Sequence, residues 1–113
     1  MVTVDEVRAV ALSLPRSYEA LVRDRVKFRV DRIVYVAFSR DEQQMGFGFP
    51  REERAQLVAS APDTFLMPSK ADLRYQWVEA RLAALEPDEM RELVIDAWRM
   101  CVPQSVARAH LGS

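Results

Sequence analysis

The chain of 113 residues holds one cysteine, one histidine and three glycines, and each scarcity removes a class of function. With Cys101 alone, neither an intrachain disulfide nor a cysteine-rich metal site can form. His110 stands without a Cys, His or carboxylate at ligand spacing, so neither a zinc centre nor a histidine-based triad is expected. Gly46 and Gly48 alternate with Phe47 and Phe49, which lacks both the G-x-G-x-x-G spacing and the Lys-Ser/Thr of phosphate loops. No apolar run approaches the roughly 18 residues of a membrane span. Met1 to Glu6 has no basic region ahead of an apolar one, so no secretory signal is expected and the cytoplasm is the default location. Charge of one sign is lacking too. Sixteen Lys and Arg against seventeen Asp and Glu leave a net −1, which argues against coating nucleic acid by bulk charge.

What is present is a globular composition, half hydrophobic and 29% charged, long enough for a single domain spanning 1–113 with its own core. Thr3 and Glu6 form a capping box ahead of Val4, Val7, Val10, Ala11 and Leu14, which predicts a helix over 4–14 closed by Pro15. Tyr18 to Val30 and Ile33 to Phe38 read as two strands joined by a tight turn at Asp31-Arg32, with Met45 to Phe49 as a third. Pro50, followed by Glu52 and Glu53, suits the first turn of a helix running to Ala61. Phe65 to Met67 and Trp77 to Leu82 read as two further strands. Pro87 opens an amphipathic helix with Met90, Leu93, Val94, Ala97, Trp98 and Cys101 on one stripe, and a last helical segment follows Pro103. The expected fold is α+β in two layers, a five-stranded antiparallel sheet with helices on one face, in the order α-β-β-β-α-β-β-α plus a short C-terminal helix.

The one functional lead is the alternation in Val22-Arg23-Asp24-Arg25-Val26-Lys27-Phe28-Arg29-Val30. Read as one strand, it places Arg23, Arg25, Lys27 and Arg29 on one face and Val22, Val26, Phe28 and Val30 on the other. Residues 22–32 hold five cations, Arg32 included, against Asp24 and Asp31. A two-residue turn at Asp31-Arg32 pairs Val30 with Ile33, Phe28 with Tyr35 and Val26 with Ala37, and sets the cations opposite Val34, Val36 and Phe38. Exposed strand faces of antiparallel sheets commonly carry such charges for solubility, with Arg and Lys stems covering apolar neighbours. The adjacent acids Glu52-Glu53 and Asp88-Glu89 are accounted for by helix first turns and not by acid–base chemistry. Cys101 reads as a small core hydrophobe, and Phe47, Tyr75 and Trp77 as core aromatics that would stack bases only if exposed.

Leu14-Pro15, Lys27-Phe28-Arg29-Val30, Arg74-Tyr75-Gln76-Trp77-Val78 and Ala97-Trp98-Arg99 with Pro103 make the chain similar to the MmcQ/YjbR family of small bacterial proteins, over nearly its whole length. The resemblance implies a fold like that of secretion chaperones, with two hairpin wings that have given the family a DNA-binding label. The wings would be the hairpin at Asp31-Arg32, where the family often has glycine, and the one between Met67 and Trp77, with Lys70 and Arg74 on or near it. The leading expectation is therefore a non-enzymatic domain that binds double-stranded DNA through Arg23, Arg25, Lys27, Arg29, Arg32, Lys70 and Arg74. It needs no cofactor or metal. The alternative is a module that binds a protein or peptide, or a second copy of itself, through the open sheet face or edge.

Overall fold

The computed structural model describes residues 1–112; residue 113, the last of the expected domain, lies outside them. Ten elements follow in the order α1 (Val4–Leu12), β1 (Ser17–Val22), β2 (Arg25–Val30), β3 (Ile33–Phe38), β4 (Gln44–Gly48), α2 (Arg54–Ser60), β5 (Phe65–Leu66), β6 (Trp77–Arg81), α3 (Pro87–Arg99) and α4 (Gln104–Leu111). Short 3-10 turns at Lys70–Asp72 and Leu82–Ala84 flank β6. The strands form one antiparallel sheet in the order β1-β2-β3-β4-β6-β5.

Local sequence explains the helices. In α1 the Thr3 hydroxyl accepts from the Glu6 amide at 3.2 Å while the Glu6 carboxylate accepts from the Thr3 amide at 3.1 Å. Val7, Val10 and Ala11 then fall on its buried side. In α3, Pro87 occupies the first turn with Asp88 and Glu89 behind it, and Arg99 sits in the last turn, matching charge to the helix dipole. Met90, Val94, Ala97 and Trp98 of α3 are buried, and the Trp98 indole donates to the Pro15 carbonyl at 2.8 Å. That bond ties the end of α3 to the end of α1. The two helices pack together over one sheet face, on Val26, Phe28, Val30, Val36, Phe38, Met45, Phe47, Val78 and Ala80. Cys101 is half-buried against this core, and burial pushes its thiol pKa up. His110 packs edge-on against Trp98, ring centroids 5.6 Å apart.

The sheet has six strands where five were expected. The span 18–30 is not one strand but the hairpin β1–β2, turned at Arg23-Asp24, whose φ angles of 52° and 64° both lie in the left-handed region. Mirror-image turns of this kind suit the twist of tight hairpins, and Asp tolerates the conformation better than most residues. Without a glycine the turn reads as strand.

The β2–β3 register also differs from expectation. Val30 does pair with Ile33 across Asp31-Arg32, but Arg29 then pairs with Val34 and Phe28 with Val36, leaving Tyr35 as an extra residue in a bulge. Tyr35 turns into the helix side, where its hydroxyl meets that of Ser17 at 2.6 Å and burial raises its pKa to about 12. Val36 and Phe38 consequently lie in the core, not opposite the cations. Smaller differences are that α1 ends at Leu12, that Pro50 opens a turn and α2 starts only at Arg54, and that β5 and β6 each stop one residue early.

Candidate functional site

The sheet face away from α1 and α3 is open, and one register line crosses all of it. Ala20 pairs with Lys27, Lys27 with Ala37, Ala37 with Gly46, Gly46 with Glu79, and Glu79 with Leu66. Directly paired residues point to the same side, so the line sets a cation and a carboxylate on either flank of Ala37 and Gly46. At about 4.8 Å per strand, Lys27 and Glu79 are about 14 Å apart at their Cα atoms. The low centre between them is a trough of about 360 Å³.

Arg25 stands beside Lys27 on the β2 wall, its Nε donating to the Phe38 carbonyl at 3.1 Å. Trp77 and Glu79 form the β6 wall, extended by Asp72, Tyr75 and Gln76 from the returning 67–76 connection. Glu79 is held above its ordinary carboxylate pKa, first by burial and then by Asp72, with Arg25 pulling the other way. Among the described residues both ion pairs belong to Arg8, with Asp5 and Glu19, on the helix side. The cations and acids lining the trough are not paired with one another.

Of the residues expected to bind DNA, Arg25, Lys27 and Arg29 share this face, while Arg23 sits on the β1–β2 turn and Arg32 on the β2–β3 turn. The Arg29 Nε is buried without a hydrogen-bond partner. Because β2 runs between the two turns, Arg23 and Arg32 occupy opposite ends of the sheet. Lys70 and Arg74 are exposed on the 67–76 connection, and Arg74 covers the Tyr75 ring at 4.9 Å while donating to its hydroxyl at 2.8 Å. Across the sheet from β2 the row continues as Val34, Ala37 and Gly46, not as further cations. Phe47 is in the core as expected, whereas Trp77 is half-buried and Tyr75 exposed on the open side.

Two arginines that carried no sequence signal shape this region. Arg54 is the one charged side chain that is buried among the described residues. It donates to the carbonyls of Leu73, Tyr75 at 2.9 Å and Trp77 at 3.4 Å. Arg51 donates to the Arg74 carbonyl at 2.6 Å. Together they hold the 73–77 backbone against the start of α2. A guanidinium has five donors in a fixed fork, which suits it to collecting carbonyls of an irregular segment. Their positions, just after Pro50 in a charged run, look like an ordinary solvated helix start.

A family model described as YjbR matches residues 12–100. Protein DR2400 of Deinococcus radiodurans, whose crystal structure is assigned to the domain DUF419, shares the fold with a TM-score of 0.79 at 21% identity. The likeness covers 99% of this chain and 89% of that one. No curated protein matches the sequence. With all six strands and α3 inside the matched span, the chain belongs to the YjbR family.

Proposed function

We propose that the protein is a non-enzymatic domain that binds double-stranded DNA with one end of its sheet. The observation that carries this reading is where the connections emerge. In the antiparallel order, the β2–β3 turn, the chain after β4 and the 67–76 connection all leave the sheet at the same end, as does the segment entering β1. That end brings exposed Arg16, Arg32, Arg51, Lys70 and Arg74 together, with Arg29 behind them on the open face and with Asp31, Glu52, Glu53 and Asp72 among them. Asp5, Glu6, Asp41, Glu42, Asp88 and Glu89 outnumber Arg23, Arg40 and Arg81 at the opposite end, where α1 and α3 begin and β3 turns into β4. A near-neutral chain is thereby polarised, and the field of a polyanion would orient it with the basic end forward. On this reading Arg32 on one wing and Lys70 and Arg74 on the other contact phosphates, Lys27 and Arg25 extend the contact along β2, and Arg23 lies farthest away. Fluorescence anisotropy with a labelled duplex of about 20 base pairs tests it. With four or five phosphate contacts, affinity should fall by two to three orders of magnitude, roughly, between about 50 and 200 mM salt. Absence of binding at the lower salt contradicts the reading.

A second reading is favoured by the edge strand β1, whose outer side faces no other strand among the described residues and whose Leu21 is 70% exposed. Such an edge suits pairing with a second copy or an extended peptide. A mass well above 13.0 kDa in solution supports it, and a strict monomer that captures no peptide opposes it.

A further inference from the structure

We infer that the trough on the open sheet face is a binding site for a small zwitterion of the α-amino-acid type with an aromatic side chain. The inference shares Arg25 and Lys27 with the DNA reading but does not rest on it, since it turns on the acidic wall opposite them. A site for a polyanion should be cationic throughout, and this one is not. Its β2 wall offers Arg25 and Lys27, its opposite wall offers Glu79 and Asp72, and the floor between them is Ala37 and the Trp77 ring lying over Gly46. The two walls attract opposite charges, so the complementary ligand carries an anion at one end and a cation at the other.

Dimensions narrow the class. The Cα atoms of Lys27 and Glu79 are about 14 Å apart, and both residues line the trough between them. The volume of about 360 Å³ falls within the range of small-ligand sites. Trp77 and Tyr75 stand along the same wall as Glu79 and offer ring faces and edges to an aromatic substituent. Because Gly46 has no side chain, the Trp77 ring lies across it and forms the floor on that side of the trough. Burial and Asp72 disfavour the ionised Glu79 more than Arg25 favours it, so an arriving ammonium would add stabilisation that the carboxylate lacks.

Isothermal titration with L-phenylalanine, 3-phenylpropanoate and 2-phenylethylamine tests the inference on the unmodified protein. The second probe lacks the ammonium and the third lacks the carboxylate. Binding of phenylalanine with each analogue about tenfold weaker or worse supports it, a factor that one charge-assisted contact accounts for. Lys27→Gln should then remove the preference over 2-phenylethylamine, and Glu79→Gln the preference over 3-phenylpropanoate. No heat with phenylalanine at about 10 mM overturns the inference. So does 3-phenylpropanoate binding as well as phenylalanine, which would make the trough an anion site. If either variant fails to fold, the comparison of the three probes on the unmodified chain decides.

Discussion

The indole of Trp77 occupies the space where a side chain on Gly46 would begin, its Nε1 2.6 Å from the position of a Cβ on that glycine. The two residues are on neighbouring strands, and this contact sets how deep the open face is. Gly46→Ala should push the ring off the sheet, lower stability by about 1–3 kcal/mol and change the Trp emission spectrum. At Gly48 a Cβ would meet Ala97 Cβ at 3.6 Å, an ordinary contact. Gly48→Ala should therefore cost less in the same urea titration, and equal costs would contradict the assignment.

Arg54 gives a second expectation. Arg54→Met removes the donors that satisfy the carbonyls of Leu73, Tyr75 and Trp77, and should destabilise the fold by about 2–4 kcal/mol. Arg51→Met, which strips a single bond from an exposed carbonyl, should cost about 1 kcal/mol or less. Chemical denaturation measures both, and a variant at 54 as stable as the parent would refute the anchoring role.

The β1–β2 turn holds two non-glycine residues in the left-handed region. Replacing Arg23-Asp24 with Asn-Gly should relieve that strain and raise stability by about 1 kcal/mol. A thermal melt that falls instead would mean the side chains make contacts outweighing the strain.

That turn also shows what could be read from the residues in advance. Helices α1 and α3 were legible because their capping residues and stripes are local. The expected α+β architecture and core face of β2 held for the same reason. The sixth strand was missed because Arg23-Asp24 has none of the glycine or asparagine that normally announces a turn, and because the alternation of Arg23 with Arg25 continues through it. The Tyr35 bulge was invisible for a different reason: it depends on a partner hydroxyl, Ser17, eighteen residues earlier in sequence. Of the expected basic face, Arg25, Lys27 and Arg29 were legible from period-two spacing. The clustering of Arg16 and Arg51 with Arg32, Lys70 and Arg74 at one end was not, because strand order and not sequence neighbours places them together.

Glu79 supplies a pH dependence. Its folded-state pKa is raised above the ordinary value, so the protonated form favours folding, and that contribution is complete below the unfolded pKa and is lost as pH rises through the folded one. Glu79→Gln should be more stable than the parent at neutral pH, and the gain should vanish below about pH 4. Melting curves across pH 3.5–7.5, roughly the interval that brackets the titration, measure it. A gain that grows on acidification would reverse the assignment.

The central claim is that DNA meets one end of the sheet, and paired charge reversals test it most directly. Arg32→Glu with Arg74→Glu alters the end where the β2–β3 turn and the 67–76 connection emerge, while Arg23→Glu with Arg40→Glu makes the same change in net charge at the other end. In duplex anisotropy at about 50 mM salt, the first pair should abolish binding and flatten the salt dependence, and the second should leave affinity within about threefold of the parent. Equal losses from both pairs, or a larger loss from the second, would contradict the account.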